Sequence, residues 1–170
     1  MSGERVTLRG DAGEHRVYLG VRLDEMVVHG RLNLSITPSP ALLPALSHLQ
    51  VRLNDRLLSV IPLQPDKPGE RIVRTLERDP RLFVADNWLS LRLVEHYTLE
   101  CEDPLHSSLW LTISPDSRLD LQLQTIALPD ELALLPAPFF DPRDGRKLDL
   151  PFVFARQPDF DTLRAAGKLA

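Results

Sequence analysis

The chain has little of what several functions require. A single cysteine, Cys101, stands among 170 residues, so no disulfide can close within the chain. Only three of the twenty basic residues are lysines, no Lys/Arg run reaches five, and the formal net charge is −4. A nucleic-acid partner is therefore not expected, because phosphate binding needs a concentrated basic footprint. Aromatic residues make up only 6%, thin for a strong stacking surface. No apolar run approaches the roughly 20 residues of a membrane-spanning helix. The opening "MSGERVTLRG" has no apolar stretch after its first charges, so a signal peptide is not expected there. No G-x-S-x-G is present, which removes the nucleophile elbow as a reading of any serine.

What is abundant is proline, with fifteen residues lying between short apolar runs. That pattern favours many short segments joined by turns and disfavours helix bundles. The runs alternate. In "RLNLSIT" (31–37), Leu32, Leu34 and Ile36 oppose Arg31, Asn33, Ser35 and Thr37. "LSLRLVEHY" (89–97), "LWLTIS" (109–114) and "RLDLQLQ" (118–124) repeat the pattern, and "EHRVYLGVRL" (14–23) is a further candidate. A period of two with one apolar face means half-buried strands. "LQVRLNDRLLSVIPL" (49–63) reads as a hairpin turning at Asn54-Asp55, residues that tolerate positive φ. Seven or eight short strands before residue 128 predict an all-β, jelly-roll-like antiparallel β-sandwich. "TPSPALLPALSHL" (37–49) is expected as a long loop and "DPRLFVADN" (79–87) as a single turn.

The character changes after residue 128. The expected division is a β-sandwich over 1–135, a proline-rich linker over 136–147, and the start of an α/β unit over 148–170. Within the last, "LDLPFVFA" (148–155) is apolar on both faces, as a doubly covered strand would be. "PDFDTLRAAG" then opens a helix, with Asp159 or Asp161 as N-cap and Gly167 as the stop.

"ECEDPLHSSLWLTIS" (100–114) concentrates acids, a thiol, an imidazole and hydroxyls. As a metal site it is poor: His96, Cys101 and His106 lack the close pairs that zinc ligands show. Glu100 and Glu102 set negative charge on both sides of Cys101, the opposite of the cationic surroundings a nucleophilic thiolate needs. No metal, cofactor or catalytic residue is predicted. The expected arrangement is a loop in which Asp103-Pro104 opens a turn and Ser107 and Ser108 satisfy backbone groups. The strings "RLNDR" (52–56) and "RTLER" (74–78) are common by chance among seventeen arginines, and show none of the geometry that bidentate phosphate recognition needs.

Sugar recognition wants an aromatic ring for the C–H face of a pyranose and polar groups for its hydroxyls. Trp88 alternates with Ser90 and Arg92, opposite Leu89 and Leu91, and Trp110 alternates with Ser108 and Thr112. Both are expected on the wetter sides of their strands. The candidate carbohydrate-binding set is Trp88, Arg92, His96, Tyr97 and Trp110, with Glu95 beside them.

Three stretches, "TPSPALLPALSHLQVRLND", "NWLSLRLVEHYTLECEDPLHSSLWLTIS" and "LALLPAPFFDPRDGRKLDLPFVFA", resemble the N-terminal region of the periplasmic B subunit of bacterial cellulose synthase. The resemblance covers about residues 5–167. It implies a jelly-roll, carbohydrate-binding-like domain followed by the opening of a flavodoxin-like one. It also implies a periplasmic location, a membrane anchor elsewhere in the family, weak contact with an emerging cellulose chain, and the catalytic subunit as partner. The family carries an older label as cyclic di-GMP-binding. Expectations left open are a pure protein–protein interaction module, with self-association possible, and direct cyclic di-GMP binding.

Overall fold

The computed structural model describes residues 4–10, 12–137, 139–146 and 151–169. Among the described residues nine strands form two antiparallel sheets. They are β1 (Val6–Arg9), β2 (Glu14–Gly20), β3 (Glu25–Pro38), β4 (His48–Leu53), β5 (Arg56–Pro62), β6 (Ile72–Arg78), β7 (Asp86–Val94), β8 (Trp110–Ile113) and β9 (Arg118–Thr125). One sheet has the order β2-β7-β4-β5, and the other β1-β8-β3-β6 with β9 also paired to β3. The long β3 takes β6 along Gly30–Ile36 and, on its opposite edge, first β9 and then β8. β8 and β9 therefore run as one interrupted strand. At the interruption Ser117 Oγ accepts the Ser35 N–H at 3.0 Å and donates to the Ser35 carbonyl at 3.2 Å.

Alternation explains the sandwich. Leu32, Leu34 and Ile36 of β3 and Leu111 and Ile113 of β8 meet Leu49, Val51 and Leu53 of β4 and Leu89, Leu91 and Leu93 of β7 in one buried cluster. Side chains from the two inner faces fill a layer about 10 Å thick. Each fully buried Leu or Ile contributes about 1.5–3 kcal/mol, so the two-layer arrangement rests on these residues.

The hairpin turns where the sequence predicts. Asn54 and Asp55 adopt φ of 50° and 61°, the pair of positive values a two-residue β4–β5 turn requires. A single 3₁₀ turn at Pro80–Leu82, capped by the Asp79 carboxylate, occupies the expected turn before β7. Two strands lacked a clear signal. β1 is only four residues long, and β6 has one buried residue, Ile72, in a charged edge strand.

The C-terminal part corrects two expectations. Of the strand expected over 148–155, residues 148–150 lie outside the described residues, and 151–155 are irregular and exposed. A strand apolar on both faces needs paired neighbours and a cover on each side, and among the described residues nothing supplies them. Helix α1 (Phe160–Leu169) does form. Asp159 caps it, accepting the Thr162 N–H at 2.8 Å. Gly167 stays inside the helix instead of ending it, a cost of about 1 kcal/mol that a glycine can bear without a left-handed turn.

Of the linker expected over 136–147, the described residues 139–146 dock on the sandwich through charge. Asp141, 2% exposed, accepts the Leu23 N–H at 2.8 Å and the Arg143 guanidinium at 2.7 Å. Arg22 reaches Asp144 at 3.1 Å, and Arg146 bridges Asp144 at 2.8 Å and Glu25 at 2.9 Å. Hydrogen bonding to Arg143, outweighing burial, holds Asp141 well below the usual carboxylate range. Gly20 lets the Arg143 backbone lie against β2, where a Cβ would collide with it.

Candidate functional site

The outer face of the four-stranded sheet is built from the residues that point away from the core on β2, β7, β4 and β5. Antiparallel register sets them in rows. Tyr18 is opposite Trp88, Arg16 opposite Ser90, and Glu14 opposite Arg92. Ser90 is also opposite Arg52, and Arg92 opposite Gln50. Gln50 is opposite Val60, and Arg52 opposite Leu57 beyond a bulge. The face thus carries two aromatic rings, three guanidiniums, an amide, and the exposed apolar side chains of Leu57 and Val60.

At one end of it, beside the β4–β5 turn, stands the Tyr18–Trp88 pair, 43% and 45% exposed. The ring centroids lie 5.3 Å apart, tilted by 59°, and the Arg16 guanidinium lies 5.4 Å from the indole centroid. The Tyr18 hydroxyl donates to Asp86 at 2.6 Å, and that bond, more than burial, pushes the phenol above its ordinary pKa. Two large rings left in water on a sheet face form a surface suited to stacking with a ligand.

The backbone beneath Trp88 is fixed by asparagines. The Trp88 N–H donates to Asn54 Oδ1 at 2.9 Å, and its carbonyl accepts the Asn54 N–H at 3.0 Å. Asn87, 0% exposed, donates to the carbonyls of Leu19 at 3.2 Å and Val84 at 2.6 Å. Its Oδ1 accepts from Asn54 Nδ2 at 3.0 Å and from the Val84 N–H at 2.9 Å. This one amide joins β2, the turn before β7, and the β4–β5 hairpin.

Two cavities flank the rings. One, of about 270 Å³, is lined by Arg16, Tyr18, His15, Ser114 and Ser117. The other, of about 550 Å³, is lined by Asp86, Leu135, Pro136, Phe140 and Arg143.

The five candidates named from sequence do not converge. Trp88 and Arg92 share the outer face just described. Trp110 faces outward from the other sheet, opposite Arg9 on β1, so the two tryptophans look away from each other. β7 ends at Val94, and His96 and Tyr97 belong to the following loop, not to the strand that carries Trp88. His96 Nδ1 lies 2.7 Å from Glu102, whose other oxygen accepts the Tyr97 N–H at 2.7 Å. Tyr97 stacks on His106 with centroids 4.3 Å apart, and its hydroxyl accepts the Asp103 N–H at 3.0 Å. Burial would raise the Glu102 pKa, but bonds from Tyr97 and His96 outweigh it and lower the value. Backbone groups in this loop are satisfied by Glu102, Asp103 and His106, where Ser107 and Ser108 were expected. Asp103 does open the turn, accepting the Leu105 N–H at 3.0 Å. Cys101 is exposed, with φ of 50°. Among the described residues no three His, Cys, Asp or Glu side chains are grouped to hold a metal ion.

Tyr18, Arg16, Arg52, Gln50 and Asp86 are absent from the sequence-derived set. The alternation in "EHRVYLGVRL" turns Tyr18 and Arg16 outward by the same logic as Trp88. What the sequence did not reveal is that β2 pairs with β7.

A family model described as cellulose synthase BcsB, first CBM domain, matches residues 1–125. A second, cellulose synthase BcsB, first FD domain, matches residues 131–170. The chain is 47% identical over 165 residues to a cyclic di-GMP-binding protein of Xanthomonas axonopodis pv. citri (strain 306), covering 97% of this chain and 21% of that protein. It is 42% identical over 167 residues to a protein of the same name from Pseudomonas fluorescens (strain SBW25), covering 98% of this chain and 22% of the relative. A protein of that name from Escherichia coli (strain K12) is 40% identical over 166 residues, or 97% of this chain and 21% of the relative. The chain spans about a fifth of the length of these relatives. Among the described residues no helix is long and apolar enough to cross a membrane.

Proposed function

Because this chain belongs to the cellulose synthase BcsB family, we propose that its β-sandwich is a non-catalytic scaffold that holds a β-glucan chain weakly on the outer face of the β2-β7-β4-β5 sheet. The observation that carries this reading is the exposed Tyr18–Trp88 pair, set beside Arg16, Arg52, Gln50 and Arg92. A glucan presents apolar C–H faces and a rim of hydroxyls, and this face offers rings for the first and donors for the second. Two half-exposed rings on an open sheet face hold a polymer without trapping it, which suits a chain that must move on. The catalytic subunit of cellulose synthase is the proposed partner and the periplasm the proposed compartment. The proposed division keeps a sandwich over 1–135, a connecting segment over 136–147, and the opening of a flavodoxin-like domain over 148–170.

Calorimetric titration of cellohexaose tests the reading. Millimolar binding is expected, weakened at least tenfold by Trp88→Ala or Tyr18→Ala and unchanged by Trp110→Ala. Absence of heat and of any competing signal at millimolar sugar removes the glucan claim and leaves a protein-interaction module.

A second reading, cyclic di-GMP binding, has the relatives' name in its favour, together with Arg16, Arg52 and Arg92 on one aromatic face. Against it, Arg16 is near Asp55 at 3.9 Å and Arg52 donates to the Asp55 carbonyl at 2.5 Å. Arg74 is likewise turned to the Val73 carbonyl at 2.9 Å. Repeating the titration with cyclic di-GMP separates the two readings.

A further inference from the structure

The docked segment after β9 alters the face at its Tyr18 end. Leu135, Pro136, Phe140 and Arg143 stand beside Asp86 and line the shallow, open cavity of about 550 Å³. Asp86 is the outward residue two positions before Trp88 on β7, about 7 Å along the strand, and it accepts the Tyr18 hydroxyl. It belongs both to the aromatic face and to the cavity. Resting on the glucan reading above, we propose that this cavity is a second subsite for the same polysaccharide, with Phe140 as its apolar wall and Asp86 and Arg143 as its hydroxyl-binding groups.

Three features single out a neutral polyhydroxylated chain as the occupant. The first is continuity, since a ligand lying on Trp88 and Tyr18 and running past Asp86 enters the cavity. The second is charge. Two carboxylates, Asp86 and Asp141, and one guanidinium, Arg143, line the cavity, so an anion such as phosphate gains no net attraction. Each group can still exchange hydrogen bonds with hydroxyls, while Phe140, 48% exposed, offers a ring to the C–H face. The third is rigidity. Arg143 donates from both Nε and Nη2 to the buried Asp141, at 2.8 Å and 2.7 Å, so this hydroxyl-binding group stands in place before a ligand arrives. Preorganisation of this kind lowers the ordering cost of binding. The selected ligand is therefore an oligosaccharide long enough to reach from Trp88 past Asp86 to Phe140, and not one that the ring pair alone accommodates.

Chain-length dependence tests this. Affinities of cellotriose and cellohexaose are measured on the native chain, on Phe140→Ala and on Trp88→Ala. The native chain is expected to bind the hexaose about tenfold more tightly than the triose, or about 1.4 kcal/mol. Phe140→Ala is expected to keep the triose affinity and lose that gain, whereas Trp88→Ala weakens both. Phe140→Trp adds an internal reporter: its emission, taken as a difference from the native chain, is expected to shift with hexaose and not with triose. Equal affinities on the native chain overturn the second subsite. So does a length gain that survives Phe140→Ala, or a Phe140→Trp signal blind to hexaose, and in each of these cases the Trp88 face still stands. No binding of either sugar overturns both the face and the subsite.

Discussion

Asn87→Asp changes one atom type beneath Trp88, and the structure says what it should cost. The native amide donates to the Leu19 and Val84 carbonyls and accepts from Asn54 and the Val84 N–H, with no exposure to water. A carboxylate keeps the two accepted bonds but cannot donate, and it sets a negative charge against two carbonyl oxygens. Breaking a buried polar pairing in this way costs about 3–5 kcal/mol, against a typical total stability of about 5–15 kcal/mol. Asn87→Ala removes all four bonds without adding charge and is expected to cost about 3 kcal/mol. Either loss lowers the melting temperature by about 10 °C. The two variants separate by pH. Burial raises the new carboxyl's folded pKa above its unfolded value of about 3.9. The folded state then holds the proton longer, so stability falls as pH rises from about 4 to the raised pKa, by about 1.4 kcal/mol for each pH unit in that interval. Urea denaturation from pH 4 to 8 should show the Asp variant weakening relative to the Ala variant as pH increases. A cost below about 1 kcal/mol for Asn87→Asp, or a pH trend of opposite sign, refutes Asn87 as the joint that presents Trp88.

The docked segment gives a second expectation. Asp141→Asn removes the charge that orders Arg143, and the peptide bonds around 139–146 should become open to proteolysis while the sandwich melts nearly as before. Equal protection in both proteins contradicts the clamp. In the native protein Asp141 has a depressed pKa, so the docking it provides is fully present above about pH 4 and is lost only as pH falls well below that. The loop after β7 should behave in the same direction. Glu102 is depressed below its ordinary value, and the protection of the Tyr97 amide, its intrinsic exchange rate divided by the observed one, should be high at neutral pH and fall as acid protonates Glu102. An exchange rate that follows only the intrinsic acid dependence dissociates Glu102 from the loop.

The sandwich was legible because its inner strands alternate without interruption. Leu32-Leu34-Ile36 and Leu89-Leu91-Leu93 announce both period and face, and Asn54-Asp55 announces its turn. β6 was not legible, since an edge strand with one buried residue leaves little apolar signature. At the site, alternation correctly turned Trp88 and Arg92 outward but could not say which strand lies beside them. The Tyr18–Trp88 pair is a long-range product of β2–β7 register. His96 and Tyr97 look like a continuation of β7 in sequence, yet the Glu102 carboxylate captures both and bends the chain into a loop. The docking of 139–146 was hidden for a related reason. Proline-rich composition reads as a linker, while the bonds that fix the segment join Asp141, Asp144 and Arg146 to Leu23, Arg22 and Glu25, more than a hundred residues away.

Amide and indole NMR of the chain titrated with cellohexaose addresses the glucan face most directly. Shifts should concentrate at residues 14–20, 50–52 and 86–92 and at the Trp88 indole, fading in Trp88→Ala. Shifts centred on the Trp110 face, or a spectrum unmoved at millimolar sugar, contradict the account.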